Sequence, residues 1–373
     1  MLRKISFLFL LLILLVSCKN KKTQEEVTNK EEFATHFHIH SYPKFYLLEI
    51  KEPWPGAQNF TYVLSPTPDA IPDSLKKYPL IKIPVKRLVV TSTTHLAPLE
   101  MLGQAERLIA FPNTRYISSK IFRKRIKEGK ITEIGNGNGL NIEKTMALQP
   151  DMIMAFSGGT DQKKYEFFSK HHLPVLYNAD WMESSPLGKA EWIKVFGVLL
   201  GANEKANRIF EKIKKNYLVI RSKVQTKKKK PLVFQGGNFG DKWFVPGGGS
   251  YAAQLIKDAG GKYVWEENRK QGSMHLNFEN VLLKLNQADI WLNPGSIVSK
   301  QTLAKNIPQA VHFPSFKNDK IYTYNLSKGP NGGLIYFETA GMHPDWVLAD
   351  LYHIFYPEET PDYHFHYYSV LLP

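Results

Sequence analysis

Cysteine is almost absent from this chain. Cys18 is the only one in 373 residues, so no intrachain disulfide can form and no multi-cysteine metal site exists. Long apolar runs are equally scarce. The longest, Ile5 to Val16, is broken only by Ser6 and falls short of the roughly 18 residues that a bilayer-spanning helix needs. Acidic residues are in the minority, 34 against 49 Lys and Arg, which leaves a formal charge of +15. An excess of that sign suits nucleic acid, a membrane surface or an anionic small molecule.

The first residues narrow that choice. Arg3 and Lys4 precede the short apolar run, which has the size of a signal-peptide core. Leu15-Val16-Ser17-Cys18 follows and looks like a lipoprotein signal box, in which the Cys sulfur takes a diacylglycerol and becomes residue one after cleavage. Lipidation at Cys18 and a lipid-anchored, periplasmic position in the cell envelope are therefore expected, and export argues against nucleic acid. Lys19 to Glu32 is polar, with Lys and Glu mixed. It offers little apolar area against the entropy of ordering and reads as a flexible tether.

The remaining chain, 43% hydrophobic over the whole, is long enough for two cores. Phe45–Ile50 and Phe60–Leu64, split by Pro53-Trp54-Pro55-Gly56, read as paired strands. From Lys86 the texture becomes alternating. Leu88–Thr91, Leu108–Phe111, Met152–Phe156 and Val175–Tyr177 are short apolar runs separated by helical spacings, the pattern of a parallel, helix-covered sheet. Asn203 to Lys223 has apolar residues at spacings of three and four without Pro or Gly, which predicts a helix of about 30 Å, enough to join two lobes. The pattern then restarts at Leu232.

A phrase recurs in both halves. Leu140-Asn141-Ile142-Glu143 leads through an apolar helix to Asp151, and Leu276-Asn277-Phe278-Glu279 leads likewise to Asp289. Two lobes of like topology follow from it. The expected divisions are a signal peptide over 1–17, a tether over 18–32, a β-rich extension over 33–84, a first α/β lobe over 85–201, a connecting helix over 202–226 and a second α/β lobe over 227–373.

Four segments give the chain a wider likeness: Val89–Gly103, Leu140–Asp151, Gly247–Gly261 with its glycine-opened helix, and Pro344–Glu358. In their order and spacing the chain resembles the iron-complex and cobalamin class of ABC-transporter solute-binding proteins, over about residues 85–373. That resemblance implies an α/β fold of two lobes, each with a largely parallel helix-covered sheet, joined by one long helix with a ligand cleft between. It implies a monomer that delivers a small molecule to ABC permease and ATPase subunits. It also implies that Glu143 and Glu279 meet arginines of the permease. The implied cargo is a ferric siderophore or similar chelate, with cobalamin or haem as the alternative. The glycines ahead of Leu140 leave no aromatic to stack on a corrin, which favours iron.

In open α/β sheets ligands collect at the carboxyl ends of the strands. The loops expected there hold Ser92–His95, Asn113–Tyr116, Asp180–Trp181, Asn238–Trp243 and Asn325–Gly333. Thr94, His95, Tyr116, Trp181 and Trp243 supply polar heads and aromatic faces for an organic ligand. Arg115 and Lys242 suit its carboxylate or phosphate groups. No catalysis, cofactor or resident metal is expected. Gly135–Gly139 lacks dinucleotide-binding spacing. His36, His38 and His40 would share a strand face about 7 Å apart from one to the next, too far for one ion to be held by all three. A hydrolase using Ser250, from Gly248-Gly249-Ser250-Tyr251-Ala252, is the alternative of another class, although the motif lacks its closing Gly.

Overall fold

A computed structural model describes residues 27–28 and 31–373, apart from 136–138, 160–161 and 241. The leader, Cys18 and most of the expected tether lie outside the described residues.

The chain opens with a five-stranded sheet, β1 (Val27–Thr28), β2 (Phe37–Ser41), β3 (Tyr46–Ile50), β4 (Phe60–Ser65) and β5 (Leu80–Lys82), in sequential order. β1 to β4 pair antiparallel and β5 joins in parallel. The end of the expected tether is therefore part of the folded body. β1 pairs with His40 and Ser41, and two buried carboxylates collect the amides that follow. Glu191 accepts from Glu32, Phe33 and Ala34, and Glu183 accepts from Thr35 and His36. Hydrogen bonds to a charged acceptor are the stronger kind, and here they outweigh the weak hydrophobicity of the segment.

The first lobe contains β6 (Leu88–Val90), α1 (Leu96–Met101), β7 (Leu108–Phe111), α2 (Lys120–Lys127), β8 (Thr132–Glu133), α3 (Ile142–Ala147), β9 (Met152–Ala155), α4 (Gln162–Lys170) and β10 (Val175–Tyr177). Its sheet has the order β10-β9-β6-β7-β8 and is parallel throughout. The chain runs outward from β6 through β7 to β8, then restarts on the other side of β6 at β9. β6 and β9 therefore flank the topological switch point. The extension covers the open edge at β10: Tyr177 N–H donates to the Tyr62 hydroxyl, and Trp54 and Phe60 pack on the Tyr177 ring. An edge strand covered in this way is protected from pairing with other chains.

Two helices, α5 (Pro186–Glu191) and α6 (Ile193–Leu200), lead to α7 (Asn203–Val224). At about 1.5 Å per residue, α7 is long enough to run from one lobe to the other. Its buried stripe is Ala206, Phe210, Ile213, Tyr217 and Val224. Gly197 lets α6 lie close on it, since a Cβ there would stand 2.6 Å from that of Ala206.

The second lobe contains β11 (Leu232–Gln235), β12 (Gly237–Phe239), β13 (Lys242–Pro246), α8 (Tyr251–Asp258), β14 (Lys262–Tyr263), β15 (Ser273–Leu276), α9 (Phe278–Gln287), β16 (Ile290–Leu292), α10 (Lys300–Asn306), α11 (Pro314–Lys317), β17 (Ile321–Thr323), α12 (Ile335–Thr339), α13 (Pro344–Phe355) and β18 (Ser369–Val370). Its main sheet, β14-β11-β16-β17-β18, is parallel except at β18. A separate antiparallel sheet, β12-β13-β15, stands beside it.

The repeated phrase has one structural meaning in both lobes. Asn141 caps α3 by accepting from Lys144 N–H, and Asn277 caps α9 by accepting from Asn280 N–H, as asparagine does well. The aspartates that end the phrase stitch the switch-point strands together. Asp151 accepts from the amides of Lys86 and Arg87 ahead of β6, and Asp289 accepts from Leu232 N–H at the start of β11.

Candidate functional site

The carboxyl ends of the first lobe's strands surround a cavity of about 450 Å³. Thr91, Ser92 and Thr93 follow β6, Pro112, Asn113 and Tyr116 follow β7, and Phe156 follows β9. Leu140, Lys164 and Tyr165 complete the wall. The cavity sits where β6 and β9 diverge, the place where the connectivity of an open sheet leaves a crevice. Thr91 Oγ1 accepts from Phe156 N–H at 2.8 Å, so the two sides of the switch point are tied and the Phe156 ring is held at the opening. That ring is 41% exposed and the Tyr116 ring 54%. Large exposed aromatics flanked by hydroxyls, an amide and an ammonium group make a surface for an organic ligand that carries polar substituents.

The floor of the β7 side is fixed by Glu133. Its carboxylate accepts from Asn113, Thr114 (2.6 Å) and Gly135 (3.0 Å) N–H. Burial pushes its pKa up, but the hydrogen bonds from Thr114, Gly135 and Asn113 outweigh that and hold it below the usual carboxylate range. Asn113 takes a left-handed conformation, φ 62°, which its short polar side chain tolerates.

The second lobe is built differently at the corresponding place. At its own switch point, between β11 and β16, Gly237 lies directly against the chain after β16: a Cβ there would fall 2.0 Å from Gly295 N. The β12–β13 hairpin starts at this close approach. It carries Phe239, 83% exposed, and the outward ring of Phe244, which lies 4.6 Å from that of His275 on the neighbouring β15.

The nominated residues are divided by this geometry. Tyr116 lines the cavity, and so do Ser92 and Asn113 from the nominated loops. The Thr94 hydroxyl turns to that of Ser92, 3.0 Å away. Arg115 and Lys242 are exposed but outside the cavity wall. Trp181 stands one layer behind it: its ring meets Phe156 edge-on at 5.7 Å and its Nε1–H donates to Pro53 O at 3.1 Å. Two expectations are corrected. His95 is fully buried, and neither ring nitrogen has a partner among the described residues. Burial pushes its pKa down to about 4, against an upward pull from Asp180 and with a further downward push from Lys189. Trp243 is core, packed among Phe234, Phe278 and Trp291. The expected loop is strand β13, where alternate side chains take opposite faces. Trp243 and Val245 face in, and Lys242 and Phe244 face out.

Thr91, Phe156, Lys164 and Tyr165 were not nominated. Phe156 and Thr91 end apolar runs that the sequence does reveal, and their place beyond the last paired residue was the available signal. Lys164 and Tyr165 come from α4, whose approach to the cavity only packing decides.

Ser250 accepts from Ala253 N–H as the cap of α8, a structural use of its hydroxyl. The three alternating histidines have separate partners: His36 meets Lys51 O, His38 meets Glu31 and His40 meets Glu49. Among the described residues no group of three or more His, Cys, Asp or Glu is placed to hold a metal ion. Glu143 and Glu279 are exposed in the first turns of α3 and α9, each two residues beyond its capping Asn.

Residues 88–327 match the model of a family described as periplasmic binding protein. An uncharacterized lipoprotein of Methanocaldococcus jannaschii is 24% identical over 312 residues, covering 80% of this chain and 72% of that relative. The vitamin B12-binding protein of Salmonella typhi is 24% identical over 141 residues, 38% of this chain and 51% of that relative. A solved structure of a possible iron-binding, periplasmic solute-binding protein from Staphylococcus epidermidis superimposes with a TM-score of 0.56 at 18% identity, covering 73% of this chain and 98% of that one.

Proposed function

The chain belongs to the periplasmic binding protein family, and from that premise we propose that it is the lipid-anchored binding component of an ABC importer, with an iron chelate as its cargo. The observation that carries this is the cavity at the first lobe's switch point. It combines the exposed rings of Tyr116 and Phe156 with the hydroxyls of Thr91, Ser92 and Thr93 and the ammonium of Lys164. Rings cover the apolar framework of a bulky chelate, while a lysine and hydroxyl donors complement its anionic oxygens. The aromatic hairpin of the second lobe supplies further apolar surface. Cys18, as the lipid site, would hold the protein near its importer and raise the local concentration of loaded carrier.

Titration with a ferric tris-catecholate, haem and cyanocobalamin, followed by tryptophan fluorescence, tests the cargo. Trp181 touches Phe156, so occupancy should quench it. The ferric chelate is expected to bind most tightly, and Tyr116→Ala with Phe156→Ala should weaken it by about 1–3 kcal/mol, roughly fivefold to 150-fold. Preference for haem or cobalamin would replace the iron reading. Failure of all three to bind would overturn the cavity as the cargo site.

A further inference from the structure

A second cavity, of about 500 Å³, opens where the two lobes join, and it shares no lining residue with the first. Ala97 and Met101 of α1, Ile335 of α12 and the Trp346 indole of α13 give it an apolar wall. Trp346 is 39% exposed, yet stacking sets its position. The rings of His343 and His366 lie nearly parallel to it, with centroids 3.7 Å and 4.7 Å away. His343 lines the cavity as well. Burial first and His366 second hold its pKa down to about 4, so at neutral pH it brings no charge.

The charge of this cavity comes from two carboxylates. Glu338 of α12 is buried and accepts from the amides of Ser118 (2.6 Å) and Ser119 (2.8 Å). Glu100, exposed near the end of α1, accepts from the Ser119 hydroxyl at 2.6 Å. These donors are all neutral, and neither carboxylate forms an ion pair among the described residues. Burial pushes the Glu338 carboxyl up most, the Ser118 and Ser119 amides pull it back, and Glu100 pushes it up again, which marks the two charges as neighbours. Lys120 is the one cation of the described lining. It is exposed, where water and salt screen it more than they screen buried Glu338. In a chain of formal charge +15, an apolar cavity with an acidic excess selects a ligand of the opposite sign to its own.

We propose that this cavity binds a small organic cation, its apolar body against Met101, Ile335 and Trp346 and its protonated amine between Glu100 and Glu338. A carboxylate has about four acceptor positions, and the bonds named use two on Glu338 and one on Glu100. The remainder suits the three N–H donors of an ammonium, in charge-assisted bonds. The volume lies within the roughly 300–1,000 Å³ of small-molecule sites. The first cavity carries Lys164 and favours the other sign, so the cation site goes beyond the cargo reading and stands or falls without it.

Three probes of one shape separate charge from apolar fit: 2-phenylethylamine, 2-phenylethanol and 3-phenylpropionate. Each is titrated near neutral pH into the full chain carrying Cys18→Ser, with NMR reporting the Met101 methyl and the Trp346 indole N–H. Met101→Leu and Trp346→Phe identify those two signals. The amine is expected to shift both signals saturably and to bind at least about tenfold more tightly than the alcohol, with the acid weakest. Added salt should weaken the amine and leave the alcohol unchanged. Glu100→Gln, at an exposed position that folding tolerates, should weaken the amine about fivefold or more and spare the alcohol. An alcohol that binds as well as the amine would make the cavity merely apolar and overturn the cation site. Tighter binding of the acid would assign the selection to Lys120 and overturn it too. So would shifts at Thr91 and Tyr165 in place of Met101 and Trp346, unchanged amine affinity in Glu100→Gln, or no binding of any probe.

Discussion

His95 shows how a residue with the chemistry of a ligand contact becomes something else once buried. Its imidazole has no hydrogen-bond partner among the described residues, and burial keeps it neutral, with a pKa of about 4. The unfolded chain protonates the same ring near pH 6.5. Because the folded value is the lower one, the stability that His95 contributes is complete above about pH 6.5 and is lost as pH falls towards 4. The drop amounts to about 3 kcal/mol for a group this buried. His343 is also held down to about 4, by burial first and by His366 second, and adds a slope of the same sign. His95→Phe retains an aromatic ring and cannot titrate. Urea unfolding at pH 7.5 and pH 4.5 should show a smaller loss of stability for the variant than for the wild type. An identical loss would mean that the imidazole is solvated in the folded protein.

At the scale of elements, the two lobes repeat one plan and diverge at the carboxyl ends of their strands. Asn141 with Asp151, and Asn277 with Asp289, are the same cap and the same strand stitch. That is why the phrase is visible in the sequence. The divergence is marked by Gly237, which admits the hairpin onto the second switch point, whereas the cavity at the first switch point is lined by first-lobe residues. Gly237→Ala puts a methyl into the Gly295 backbone. Its expected cost is above about 2 kcal/mol, the range of overpacking and backbone displacement, seen as a lower thermal midpoint. The hairpin should loosen with it, and Trp243 fluorescence should shift red as its packing on Trp291 relaxes. A wild-type midpoint would show that the hairpin is not held by that approach.

For the whole molecule, the feature to test is the pair of glutamates. Each stands exposed in the first turn of a helix, where the helix dipole favours a carboxylate. That local effect accounts for either one alone, but not for their corresponding positions on two lobes. As docking points for a permease they would set register and encounter rate more than affinity for cargo. Glu143→Arg with Glu279→Arg should leave cargo affinity unchanged and reduce uptake at least tenfold, with each single change doing less, as measured by cellular accumulation of the labelled chelate. Normal uptake by the double variant would leave both residues as helix-end charges.

Much of this was determined by the sequence alone. Apolar runs of period and length suited to short buried strands marked β6, β7, β9 and β10, and an unbroken helical spacing marked α7, because these patterns report local geometry that any compact fold must respect. The loops after β6 and β7, with Ser92, Asn113 and Tyr116, could be placed at the cavity for the same reason: they follow strand ends. Only the tertiary structure decided which side chains face the cavity. Strand alternation inside a hairpin turned Trp243 into the core and Lys242 out, and burial took His95 out of reach of solvent. Lys164 became significant through an element, α4, that approaches the cavity from elsewhere in the chain. Facing and approach depend on contacts between residues far apart in sequence, and no local pattern records those.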